Sequence, residues 1–188
     1  MGDIHKEALK IYVENDEILR RNQGDEAVFN LGVVGEDAFG DRAYTIDDRT
    51  HTIKFHPRNF SLAKNRDAVP FFLEGSEIVV TPKINDREVQ MFLDTGCSST
   101  AFSDSSLSAI GMSRPTDAAA AYAIGSGGRR ASYVFEIKSI KLGGIEKNNV
   151  QASCDLHSTA GRPLLGRSFL SGLVLTIDPV SKLILLSR

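Results

Sequence analysis

A mainly β fold is what this sequence predicts, and three observations carry that expectation. Short apolar runs rich in Val, Ile, Phe and Tyr recur from Ala27 to Leu186, each bounded by Gly, Asp, Asn or Pro. Helical periodicity is brief wherever it occurs. Two turn signals, Asn85-Asp86 and Asp178-Pro179, each sit between strand-like runs and so announce hairpins.

Taken in order, residues 1 to about 24 place Ile4, Ala8, Ile11 and Ile18 near one helical face, a marginal pattern amid many charges. From Ala27 the texture changes to "AVFNLGVV", "RAYTID" and "THTIKF", pieces that suit a small hairpin or sheet. The stretch "HPRNFSLAKNRDAVP", residues 56 to 70, is polar, carries two prolines and reads as a linker. A boundary near residue 70 follows, separating an N-terminal extension, 1–69, from a domain spanning 70–188.

Beyond it, "EIVVTPKI" and "REVQMFLDT" flank Asn85-Asp86 as a β-hairpin that delivers Asp94 at the end of its second strand. "SDSSLSAIGM" reads as a two-turn helix, with Ser103 or Asp104 to cap it and Gly111 to stop it. "AAAAYAIGSGGRRASYVFEIKSIKLGG" predicts two strands around a glycine-rich tip, and "NNVQASCDL" a further strand. The chain closes with an apolar pair, a short helix and a hairpin turned by Asp178-Pro179.

Composition excludes several function classes. With 188 residues, 41% hydrophobic and 24% charged, the chain has the balance of a globular protein able to bury a core. Its net charge of -2 offers no broad basic field for nucleic acid. No run of about 18 apolar residues and no signal-peptide core is present, which predicts a soluble protein without a membrane segment, with the cytoplasm favoured. Lys6 stands where a myristoylation motif wants Ser or Thr. Cys97, Cys154 and the four scattered histidines form neither a disulfide framework nor a metal site, so no cofactor is expected. Asn59-Phe60-Ser61 matches a glycosylation sequon, here read as a surface loop.

Chemistry concentrates in "VQMFLDTGCSST". An acid at the tip of an apolar strand has two bland roles: it can cap the turn by accepting downstream N–H bonds, or it can pair with a cation. By average residue usage, a lone Asp-Thr-Gly arises by chance on the order of once in thirty chains of this length. The triplet alone therefore decides nothing.

The wider pattern resembles the retropepsin-like aspartic proteases. Phe92-Leu93-Asp94-Thr95-Gly96-Cys97 is similar to that family's first signature, two apolar residues, Asp-Thr-Gly and a small residue. Leu164-Leu165-Gly166-Arg167 is similar to its second, an apolar pair and a glycine before a short helix. The resemblance covers about residues 70 to 188. It implies an acid-protease half-barrel with a short helix, in which Asp94 is catalytic, Thr95 locks the two active-site loops across a dimer axis, and Gly96 lets the backbone turn beside substrate.

Because only one such acid is present, the resemblance also implies a homodimer in which each subunit contributes Asp94. Asp178 does not qualify, since Pro179 follows it where Thr or Ser should stand. Two points depart from viral members: Cys97 replaces Ala or Ser, as a packing residue or a reactive thiol, and Ser98 and Ser99 replace acids, leaving Arg167 without its usual ion-pair partner. Arg167 then either serves an interface through another partner or is a solvated helix residue.

The "AIGSG" tip, Ala123, Ile124, Gly125, Ser126 and Gly127, lacks the Lys-Ser/Thr of a phosphate loop. It is either an ordinary hairpin end or, by position between the two signatures, the flap that folds over bound peptide. Two functions follow. One is a homodimeric aspartic endopeptidase cleaving an extended polypeptide between mostly apolar residues. The other is a non-catalytic dimeric peptide-binding or assembly module on the same fold. For residues 1–69 a blocking pro-segment, a recruiting domain and reinforcing strands all remain open.

Overall fold

The computed structural model describes residues 38–114, 116, 118–125, 128–155 and 161–188. The helix expected within 1–24, the strand at 27–34, and Ser126 and Gly127 of the hairpin tip lie outside the described residues. Within them the protein is mainly β, built as two sheets with two short helices. No helix among the described residues is long and apolar enough to cross a membrane.

The smaller sheet joins the two ends of the described chain. It contains β1 (Tyr44–Asp47), β2 (Thr52–Phe55), β3 (Val69–Pro70), β14 (Val174–Asp178) and β15 (Leu183–Ser187), in the order β2-β1-β14-β15-β3. The "RAYTID" and "THTIKF" runs thus form the expected hairpin, and β1 then pairs antiparallel with β14, Tyr44 opposite Ile177 and Asp47 opposite Val174. Hydrogen bonds cross this sheet from the His56 ring nitrogen to the Thr45 hydroxyl and on to Thr176, each 2.7 Å. Buried Tyr44 packs against Phe39 in a tilted arrangement, ring centroids 4.7 Å apart.

The polar stretch 56–70, read as a linker, is anchored at two points. Leu62 is buried, and its N–H donates to Asp178 at 2.8 Å, while the Ser181 N–H donates to the other carboxylate oxygen at 3.1 Å. Burial alone would raise the Asp178 carboxyl, but these donors hold it below the usual carboxylate range. Polar composition shows that a segment lies at the surface; it does not show that the segment is free.

The larger sheet contains β4 (Phe72–Glu74), β5 (Glu77–Val80), β6 (Lys83–Ile84), β7 (Arg87–Glu88), β8 (Met91–Leu93), β9 (Thr100–Ser103), β10 (Ala119–Gly125), β11 (Gly128–Leu142), β12 (Ile145–Asp155) and β13 (Leu164–Leu165). Its order is β4-β5-β8-β13-β9-β12-β11-β6-β7, with β10 paired to β11. Asn85 and Asp86 adopt φ of 46° and 67°, the left-handed pair that closes a two-residue hairpin. Below that turn the hairpin runs in two steps, β6 with β7 and β5 with β8, so β8 ends at Leu93 and delivers Asp94 directly after it, as the sequence predicts.

One apolar cluster links both sheets, from Val80, Met91, Ile137 and Leu165 to Ile177 and Ile184. Full burial of each such side chain is worth about 1.5–3 kcal/mol. Helix α1 (Asp104–Ala109) packs Leu107 into this cluster and starts at Ser103, whose hydroxyl accepts the Ser106 N–H while the Ser106 hydroxyl accepts the Ser103 N–H. Gly111, at φ +72°, ends the turn as expected. Helix α2 (Arg167–Leu170) buries Phe169 and Leu170 under the second signature.

Candidate active site

Strand pairing brings the two sequence signatures together. The two-residue β13 lies between β8, parallel to it, and β9, antiparallel to it, with Leu164 opposite Phe92 and Leu165 opposite Leu93. The Asp94 N–H donates to the Leu165 carbonyl at 3.1 Å, and the Arg167 N–H donates to the Cys97 carbonyl at 2.8 Å. Ser168 adds a third tie, its hydroxyl accepting the Thr100 N–H at 2.7 Å. Leu165 is fully buried, and that burial holds the register.

Gly166 sits where only glycine fits. A Cβ there would lie 2.1 Å from the Ser99 carbonyl oxygen and 2.8 Å from that of Cys97. The second signature needs its glycine because two backbones touch at this point, and the touching backbone is the loop carrying Asp94.

Asp94 itself is half-buried at the mouth of this junction, with Thr95 and Gly96 exposed beside it. Its Oδ1 accepts the Gly96 N–H at 2.9 Å and the Cys97 N–H at 3.1 Å. Its Oδ2 makes no hydrogen bond to protein among the described residues. One oxygen is therefore clamped by the backbone while the other is left without a protein partner among the described residues. A Cβ on Gly96 would come within 3.3 Å of Oδ1, so the bare glycine keeps the carboxylate's surroundings open. The half-buried Cys97 thiol donates to the Ser99 carbonyl at 3.0 Å, and burial pushes it above the usual thiol range, the behaviour of a packing residue rather than a nucleophile.

Arg167 finds a carboxylate that the sequence reading missed. Its guanidinium pairs with Asp48 at 2.9 Å, from the turn after β1, in place of the acid that Ser98 does not supply. No local signal could have shown this, because 119 residues separate the partners. Asp48 also accepts the Gly172 N–H at 2.9 Å and the Ser171 hydroxyl at 3.2 Å. The Gly172 donor, then the Arg167 charge, hold its carboxyl below the ordinary range.

The glycine-tipped hairpin forms as predicted. β10 pairs with β11 from Ala119 opposite Val134 to Gly125 opposite Gly128, which sets Ala123 opposite Arg130 and Ile124 opposite Arg129. Among the described residues, β12 pairs with β11 from Ser132, opposite Asp155, to Leu142, opposite Ile145. Arg129 lies over the Tyr122 ring at 3.6 Å, and Arg130 pairs with Asp155 at 3.2 Å. Both arginines thus have partners within the chain.

Residues 80–172 match the family model described as "gag-polyprotein putative aspartyl protease". Among solved structures, the chain is similar to a retropepsin-like aspartic protease from Rickettsia conorii, at 21% identity over 66% of this chain and 94% of that one, with a TM-score of 0.46. No curated protein matches it. By the family match, the stretch from Val80 to Gly172, which holds the Asp94 turn, the hairpin and the Leu164–Arg167 signature, is similar to the retropepsin-like aspartyl proteases.

Proposed function

We propose that the protein is a homodimeric aspartic endopeptidase in which Asp94 of each subunit forms half of the catalytic pair. The observation that carries this reading is the state of Asp94 at the junction of the two signatures: one carboxylate oxygen fixed by two backbone donors, the other without a protein partner among the described residues. Asp178 supports it from the other side, since it is 1% exposed in the smaller sheet and committed to Leu62 and Ser181. The second acid is then supplied by a second copy of Asp94.

Two like charges brought this close cannot readily both ionise, so the pair shares one proton. The ionised carboxylate takes a proton from water as that water attacks the peptide carbonyl carbon, while the protonated carboxyl gives its proton to the carbonyl oxygen. The tetrahedral intermediate collapses when a proton returns to the amide nitrogen and the C–N bond breaks. Thr95, exposed on the open side of the turn, faces the second subunit, and Gly96 leaves room for the extended peptide. The hairpin at Ala123–Gly127 serves as the flap, shielding the reaction from bulk water and pairing with substrate as an added strand. Leu164, Leu165, Gly166 and Arg167 form the backing of the catalytic loop.

One observation favours the rival reading: the N–H bonds to Asp94 are also those of a plain turn-capping aspartate, which a non-catalytic peptide-binding dimer would keep. Asp94→Asn separates the two, because the amide oxygen still caps the turn but cannot exchange protons. We expect this variant to remain dimeric and to lose peptide cleavage and pepstatin-type inhibition in an assay on a mixed peptide library at mildly acidic pH. Undiminished cleavage by the variant would refute the protease reading.

A further inference from the structure

The N-terminal extension reaches the catalytic loop through a short chain of hydrogen bonds. It begins at Asp48, whose backbone is placed by the β1–β14 pairing and by its own N–H to the Leu173 carbonyl at 3.3 Å. The carboxylate holds the Arg167 guanidinium at one oxygen and the Gly172 N–H and Ser171 hydroxyl at the other, so it spans both ends of α2. The Arg167 backbone N–H then holds the Cys97 carbonyl at 2.8 Å, and the Cys97 N–H holds Asp94 Oδ1 at 3.1 Å.

We propose that Asp48 is a positioning residue for Asp94, and that residues 44–55 are a built-in part of the catalytic domain rather than a removable block. The proposal rests on the aspartic-protease reading of Asp94. The Asp48–Arg167 pair is half-exposed, with side-chain exposures of 25% and 51%, and solvent screening leaves such a pair little direct weight in stability. Its effect is geometric: it fixes where α2 begins, and the start of α2 fixes the loop bearing the acid. Lys147 lies on the same side and donates to the Ser171 carbonyl at 2.6 Å, so Asp48 also offsets a second cation near α2.

Asp48→Asn, Asp48→Glu and Asp94→Asn in the full chain test this, each checked as folded by circular dichroism at the assay temperature. For Asp48→Asn we expect kcat on a cleaved peptide to fall about tenfold or more with KM little changed, the signature of a displaced catalytic group. Asp48→Glu, which keeps the charge, is expected to recover most of that loss. Hydrogen exchange at peptides covering 94–99 and 164–170 should quicken in Asp48→Asn and return in Asp48→Glu. Unchanged kcat and exchange in Asp48→Asn, or equal loss in both Asp48 variants, would overturn the proposal. If Asp94→Asn cleaves like the parent, the protease reading fails instead, and the exchange measurement alone decides whether Asp48 positions the loop.

Discussion

A single hydrogen at Gly166 determines whether the two halves of the site can meet. The Cβ of an alanine would sit 2.1 Å from a backbone oxygen, and backbone cannot swing aside as a flexible side chain can. Gly166→Ala is expected to cost more than about 3 kcal/mol, at or beyond the top of the usual overpacking range. A drop in the urea midpoint, together with lost cleavage, would show it; an alanine variant as stable as the parent would mean that β13 and the Asp94 loop do not touch. Gly96 presents a milder case, since its added Cβ would stand 3.3 Å from a carboxylate oxygen that has some freedom to shift.

At the scale of elements, carboxylates fasten the N-terminal strands to the C-terminal hairpin. Asp48 ties the β1 turn to α2, and Asp178 ties the 56–70 stretch to the β14–β15 turn. Both have carboxyls held below the ordinary range, Asp48 chiefly by the Gly172 N–H and Asp178 by the Leu62 and Ser181 N–H groups against the effect of burial. A depressed folded-state pKa contributes stability that is complete above the unfolded value, about 3.9 for aspartate, and is lost as pH falls through the lower folded value. Unfolding by urea should therefore become easier as pH drops below about 4, and Asp178→Asn should flatten that dependence. A midpoint independent of pH between about 5 and 2 would exclude it.

Much of this level was legible from residue types. The Asn85-Asp86 turn, the Ser103 cap with its Gly111 stop, and the hairpin from Ala119 to Leu142 follow from local rules, because each is closed by residues near in sequence. The 56–70 stretch was misread as a linker for the complementary reason: its anchors, Leu62 and Asp178, lie 116 residues apart.

For the whole molecule, the smaller sheet is filled from within one chain. β14 is flanked by β1 and β15, and β15 by β3, so both strands of the closing hairpin already have neighbours on each side. The native particle is expected to have twice the mass of one chain, and stored protein is expected to keep residues 44–55. Light scattering and intact-mass measurement check both. A strict monomer would leave a single Asp94 per particle and end the two-carboxylate mechanism; a fragment starting between 56 and 75 that stays active would show the extension to be dispensable.

The sequence by itself determined the mainly β class, the hairpin that carries Asp94, and the two short signatures that mark the protease family, because strand alternation, turn residues and motif spacing are properties of neighbouring residues. Only the tertiary structure decided that β13 slots beside β8, that Gly166 presses on the Asp94 loop, and that Arg167 is answered by Asp48. Those contacts join residues tens to more than a hundred positions apart. They exist because burying Leu165 and pairing β1 with β14 brings the segments together, a free-energy gain that no local stretch of sequence reveals.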